Sequence, residues 1–397
     1  MDEPSGARYR HGMRSPPALA RSLALAGGLA FVAAACTLLN PLEGYTGGAP
    51  DTGPDVVVTP PIPEETGVVD AGADGDAAPS CVSALPPERP VGVGGGAKSF
   101  VNAFVSFEAG DPRDPSAPNT QGYDLDRTCT CPGPRSCKPA SGPGVCDYPN
   151  GVDNAAGTYL LSLLTVLGDG NTITARLRAG TNGLLLRVSG YNEQPDDSEV
   201  ELALFTSFGL EGANDGGPDA PRPKLDGTDR WTVDRSSLFG GVPYVPTIFD
   251  TRAYVRGGVL VASFSGLVRV GTYPLPVVGG LITGRLSKTG DSYAILDGVV
   301  SGRFVVTKFL TGLESVPHPL TPGAYLCGTD RLYLNLRDSI CASRDLLEDP
   351  TQDGKDGACD ASSFAVRFTS VPSVLGNVVE PGSPVRACGD AWAGSCP

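Results

Sequence analysis

The clearest periodicity lies in the middle of the chain. Val200, Leu202, Leu204 and Thr206 alternate with Glu201, Ala203 and Phe205, the period-two pattern of a half-buried strand. The run 184–188 is more continuously apolar. Residues 252–255 and 259–264 flank Arg256-Gly257-Gly258 and read as a hairpin with a glycine-bearing loop. Residues 293–296 and 299–300 flank Asp297-Gly298, the strongest hairpin signal in the chain, because Asp-Gly tolerates the positive φ angles of a type I′ turn. With 281–286 joined to them across 288–291, a three-strand meander is expected. Short strands broken by turns over this length predict a mainly β fold, an antiparallel sandwich or jelly-roll-like domain with a few short helices.

Two stretches carry a helical signal. Leu160, Leu163, Leu164 and Leu167 recur at helical spacing, with Asp153 or Asn154 as the cap and Gly168 as the stop. Near the C-terminus, Asp338 or Ser339 is placed to cap a helix running to Leu347 and stopped by Asp349-Pro350. No internal repeat at solenoid spacing is present.

The N-terminal 35 residues have a different character. Basic residues lead into the apolar run 23–35, LALAGGLAFVAAA, which is too short to span a bilayer but suits the core of an export signal. It ends Ala33-Ala34-Ala35-Cys36, and here the chain resembles the bacterial lipoprotein signal, departing from it at Ala33, where the family usually has Leu. The resemblance covers this segment alone and implies cleavage before Cys36, lipidation of Cys36 and anchoring to a membrane. Thr37 stands where an Asp commonly retains such lipoproteins at the inner membrane, which favours the outer membrane. Residues 36–80 follow without a single Lys or Arg and are rich in Pro, Gly and Asp, the composition of an extended tether. Residues 81–397 then form the globular domain, with a Cys-rich insert at 122–154 and a Cys-rich tail at 327–397. This body is similar to uncharacterised Cys-rich lipoproteins of high-GC Gram-negative bacteria, a resemblance that supplies no activity.

Export gives the cysteines their meaning. Of eleven, lipidation removes Cys36 and leaves ten: Cys81, Cys129, Cys131, Cys137, Cys146, Cys327, Cys341, Cys359, Cys388 and Cys396. An even number in an exported chain reads as a disulfide framework. Five precede residue 150 and five follow residue 326, so complete pairing requires at least one bridge between the groups. Cys129 and Cys131 are too close to bond each other without strain, so each reaches another partner. Four thiolates for zinc are the competing reading, but the paired C-x₂-C knuckles are missing.

The formal net charge of −14 argues against nucleic-acid partners and leaves divalent cations as the more interesting ones. Asp124-x-Asp126-x-Thr128 has the oxygen spacing that opens a calcium loop, and Asp147, Asp153 and Asn154 are placed to close the shell. The EF-hand pattern is broken, since Cys129 occupies the position of its Gly and no Glu stands twelfth. The alternative is that Asp124 and Asp126 form turns and Asp153 caps a helix. A second acidic loop, Asp349, Asp353, Asp356 and Asp360, reads as a solvated Gly-rich turn beside Cys359.

Catalytic signatures are missing. After processing one histidine remains, His318 between Pro317 and Pro319, and no nucleophile elbow, zinc-helix motif or phosphate-binding loop occurs. Paired carboxylates leave no local signature; Glu199 and Glu201 share one face of a strand and read as solvated surface. Trp231 and Tyr191 are the aromatics nearest in context to a sugar-stacking role, though burial beside a turn explains each as well. The expected protein is therefore an envelope lipoprotein with no assigned catalytic residue. It carries a binding or structural β-domain, partnered by the membrane and by a glycan or envelope protein. A polysaccharide hydrolase using paired carboxylates is the alternative.

Overall fold

A computed structural model describes residues 81–92, 94–109, 121–131, 133–140, 144–157, 172–213, 221–242, 244–270, 273–380, 388 and 394–397. The export signal, Cys36, the tether and the helix expected over 160–167 lie outside the described residues.

The strands are β1 (Lys98–Glu108), β2 (Gly183–Tyr191), β3 (Asp197–Ser207), β4 (Arg230–Asp234), β5 (Ile248–Arg256), β6 (Val259–Val270), β7 (Tyr273–Thr289), β8 (Ser292–Val305) and β9 (Ala361–Val379). Their order is β1-β2-β3-β5-β6-β7-β8-β9, and β9 pairs back onto β1, Val101 facing Ser373 and Phe107 facing Phe368. These eight antiparallel strands form one barrel-like sheet, so the sandwich or jelly roll suggested by the strand spacing is not confirmed. The remaining strand, β4, runs parallel to the far end of β9, with Trp231 opposite Leu375.

Side chains fill the interior. Phe100, Phe104, Leu184, Leu186, Val188, Val200, Leu202, Leu204, Phe264, Ile282, Ile295 and Phe368 belong to one buried cluster. The space lined by Phe104, Leu204, Phe264, Ile282 and Phe364 amounts to about 20 Å³, far below what a small-molecule site needs. Among the described residues the barrel interior is a packed core. The opposite face of β1–β3 is buried as well: Ala103, Leu185, Ala203 and Phe205 pack against Trp231 and Val233 of β4. That second layer explains why 184–188 is apolar without alternation and why Ala203 and Phe205 sit among polar-face positions. It also removes Trp231 as a sugar platform. Tyr191 is buried too, and its hydroxyl donates to the Gln194 carbonyl.

Gly257 and Gly258 form the β5–β6 turn at φ 57° and 79°, as the sequence pattern predicts. The Asp297-Gly298 hairpin does not form. Strand β8 continues through it, and the β7–β8 turn is at Gly290-Asp291, between the paired Thr289 and Ser292. Asp297 keeps its positive φ of 52°, but in a bulge, where the register shifts against both neighbours. The reason lies across the sheet. A Cβ on Gly298 would meet the Phe368 ring at 2.5 Å, so glycine is there to let that ring lie on the strand. Phe368 in turn stacks on Phe104, centroids 4.2 Å apart, where β9 closes on β1.

Three helices are described: α1 (Thr172–Ala179), α2 (Val306–Gly312), which continues directly from β8, and α3 (Arg331–Ala342). The expected helix from Asp338 to Leu347 is displaced, because Asp330 supplies the cap by accepting from the amides of Leu332 and Tyr333. Cys341 nonetheless fastens this helix to the C-terminal residues through Cys396.

Truncating Phe368 should open the seam of the barrel. Phe368→Ala is expected to cost about 3–5 kcal/mol, read as a lowered midpoint of urea unfolding with an unchanged slope.

Candidate metal centre

All ten cysteines of the described domain are paired: Cys81–Cys129, Cys131–Cys146, Cys137–Cys359, Cys327–Cys388 and Cys341–Cys396. The bridge between the two groups that parity demands is Cys137–Cys359, spanning 222 residues. Backbone bonds extend this junction: Lys138 donates to Gly357, Cys359 to Lys138, and Gly354 to Ser136. The insert is thus laid against the loop between α3 and β9. Its four sulfurs are all committed to disulfides, which leaves no thiolate there for zinc.

The insert is polar and turn-rich, so its aspartates organise the backbone. The Thr128 amide donates to Asp124 Oδ1 at 3.1 Å and to Asp126 Oδ1 at 2.7 Å. The Thr130 amide donates to Asp147 Oδ2 at 2.6 Å, and the Leu125 amide to Asp153 Oδ2 at 2.6 Å. Part of the turn reading therefore holds. These bonds use one oxygen from each carboxylate. The other oxygens of Asp124 and Asp153, Oδ2 and Oδ1 respectively, are buried without a hydrogen-bond partner.

Asp124, Asp126 and Asp153 each present an oxygen within 4.8 Å of the others. Asp124 is 3 % exposed and Asp153 1 %. Among the described residues, no Lys, Arg or His forms an ion pair with any of them. The buried cation nearby in the fold, Arg303, is spent elsewhere. It grips both oxygens of Asp353 at 2.9 Å and donates to the carbonyls of Leu347 and Leu125. The last bond holds the residue between Asp124 and Asp126 against the barrel wall.

Burial is the main force on the charges. It pushes Asp126 up to about 6, with the Asp124 charge adding to the rise. It pushes Asp147 up to about 7, and the charges of Asp126, Asp345 and Asp124 raise it further. Asp153 lies well above the usual carboxylate range for the same reason, with Asp345, Asp126 and Asp147 contributing. Asp345, between α3 and β9, is itself pushed up to about 7 by burial, against the hydrogen bonds it accepts from Ser363. Of the four aspartates read from the sequence, Asp124, Asp126 and Asp153 converge, while Asp147 lies outside their 4.8 Å group and is linked to it through charge, as is a fifth, Asp345. Asp345 had no local signal, being 192 residues beyond Asp153 (345 − 153). Only the Cys137–Cys359 pairing would have brought it near.

Two further residues shape the cluster. Ser136 is buried with its hydroxyl beside Asp126, where it favours the charged form. Gly151, at φ 70°, leaves space that any side chain would fill: a Cβ there would lie 2.9 Å from Asp124 Oδ2 and 3.0 Å from the Cys129 sulfur.

The other candidates are occupied structurally. Asp353 belongs to Arg303, Asp349 caps the amide of Thr351, Asp360 accepts from the amide of Glu348, and Asp356 is exposed. Glu199 and Glu201 stand in solvent on the outside of β3. His318 is buried, its Nδ1 accepting from the Leu320 amide and its Nε2 3.3 Å from Asp330.

No family model matches the chain, and no curated protein or solved structure matches it.

The raised carboxylates fix a pH dependence. Each binds its proton more tightly in the folded chain than in the unfolded one. Their contribution to stability is therefore greatest below an unfolded value of about 4 and is lost as pH rises through about 7. In chelator, the melting temperature should fall between pH 5 and pH 8; a rise over that range would contradict the shifts.

Proposed function

We propose that this chain is an exported, lipid-anchored envelope protein. Its disulfide-fastened β-barrel is a non-catalytic binding or structural module, and its aspartate cluster holds a calcium ion. The observation that carries the metal reading is the convergence of Asp124, Asp126 and Asp153 within 4.8 Å, with buried oxygens that have no partner. Buried carboxylates without a cation are costly, and a divalent ion offsets that cost. The donors are all oxygen, and the charges of Asp147 and Asp345 act on the same group. Hard oxygen donors in irregular loops suit calcium, which takes six to eight ligands, better than zinc or copper.

The anchor reading rests on the sequence of the first 36 residues, above all the run ending in Cys36. A non-catalytic reading is supported by His318, the one histidine left after processing, which is buried with its Nδ1 accepting from the Leu320 amide and its Nε2 3.3 Å from Asp330. The hydrolase alternative needs a carboxylate pair beside an open cleft. Two surface clefts carry such groups, Glu201 and Asp250 in one and Asp226 and Asp291 in the other. Asp250 accepts from the amides of Arg252 and Ser263, and Asp226 from that of Thr228, so one carboxylate of each pair organises its own loop.

Calcium should raise the melting temperature and chelator should lower it. At a hundredfold excess over Kd the gain is about 2.7 kcal/mol. The double variant Asp124→Asn, Asp153→Asn should lose this response and the heat of calcium binding by titration calorimetry. An unchanged melt with no heat would overturn the metal reading. Independently, mass spectrometry of protein purified from membranes should find acylated Cys36 as the N-terminal residue; an unmodified Cys36 would remove the anchor.

A further inference from the structure

We infer that the cation selects the disulfide pairing of the insert: with calcium bound, Cys129 joins Cys81 and Cys131 joins Cys146, and without it each of the two cysteines takes either partner. This deepens the calcium reading proposed above and rests on it.

The pairing problem is local. Only Thr130 separates Cys129 from Cys131, so their thiols compete for the same two partners. Loop entropy barely discriminates. The observed bridges span 48 and 15 residues. The exchanged ones would span 50 (131 − 81) and 17 (146 − 129), and closure cost grows only with the logarithm of length. Backbone direction must therefore decide which sulfur faces which partner.

That direction is set by the aspartates. Asp124 and Asp126 hold the Thr128 amide just before Cys129, and Asp147 holds the Thr130 amide between the two cysteines. Cys131 is left at φ 51°, a conformation a non-glycine residue adopts only when its surroundings impose it. The Cys129 sulfur and Asp124 Oδ2 both press on Gly151, within 3.0 Å and 2.9 Å of where its Cβ would stand. The bridge and the cluster are thus neighbours in one packed contact.

The groups that orient the cysteines are the ones that repel each other when bare. Asp124 Oδ2 and Asp153 Oδ1 are buried and unpartnered, in residues 3 % and 1 % exposed. These orphaned oxygens point to a missing positive partner rather than to a set of turns complete in themselves. A cation there gathers the carboxylates, fixes the Thr128 and Thr130 amides, and turns the two sulfurs to opposite sides.

The chemistry needs an oxidant, here a low-molecular-weight disulfide. One cysteine thiolate attacks it to form a mixed disulfide and expels one thiolate. The second cysteine thiolate then displaces the other, so two protein thiols lose two protons and two electrons and the oxidant becomes two thiols. Calcium takes no part in the electron transfer. It changes which thiolate stands within reach.

The full protein, reduced and unfolded in urea, is refolded in a glutathione redox buffer with either about 2 mM calcium or a chelator. No protease cuts within Cys129-Thr130-Cys131 to separate the sulfurs, so linked peptides are fragmented in the mass spectrometer. The observed pairing should dominate in calcium, and its ratio to the exchanged pairing should fall toward about one in chelator. Asp126→Asn should need more calcium to recover the observed pairing. Equal dominance of the observed pairing in both buffers would overturn the inference. Calcium titration of the natively bridged protein separates the two failures. Binding with calcium-independent pairing sinks the inference alone, and no binding sinks the calcium reading with it.

Discussion

Mutual repulsion among buried carboxylates is the constraint on which this structure turns. Asp126, Asp147, Asp153 and Asp345 are each made harder to ionise by burial and by the charge of at least one neighbouring aspartate. They are kept together by links that do not depend on charge. Cys81–Cys129, Cys131–Cys146 and Cys137–Cys359 tie the insert to itself, to the start of the domain and to the loop before β9. The insert has almost no apolar surface to hold it otherwise. Cys137, Leu347 and Cys359 form its own small buried cluster, so the bridge is also its core.

The barrel supplies the rigid side of this arrangement. Its interior is filled by side chains, and closure of β9 on β1 through Phe104 and Phe368 removes sheet edges that would otherwise stay open. Against that wall the buried Arg303 of β8 binds Asp353 and the Leu125 carbonyl, so one guanidinium neutralises the second acidic loop and positions the first. A buried, bidentate pair such as this is expensive to break from one side, because the remaining charge is left unpaired. The cluster is thus framed by covalent bridges on one side and by a fixed ion pair on the other.

Legibility in the sequence followed the range of the interaction. The β5–β6 turn was readable because Gly257-Gly258 meets its own requirement for positive φ. Asp297-Gly298 carries the same local preference but is spent on a bulge, because the Phe368 ring, distant in sequence, needs the space above Gly298. The strand pattern at 200–206 gave the inward face, while the burial of Ala203 and Phe205 depended on β4, whose pairing with β9 has no local mark. Cysteine parity revealed a bridge between the two ends, since counting needs no geometry. The site behaved likewise: Asp124, Asp126, Asp147 and Asp153 lie in one short segment and were visible as a set. Asp345 arrives through a bridge whose connectivity the sequence leaves open.

The central claim is that a calcium ion occupies the space between these carboxylates. Diffraction from crystals grown with calcium tests it most directly. The account predicts a calcium ion about 2.3–2.6 Å from oxygens of Asp124, Asp126 and Asp153, with Asp147 or Ser136 in or next to its shell. Calcium-grown crystals showing only water among those side chains, or the ion bound elsewhere on the chain, would contradict it.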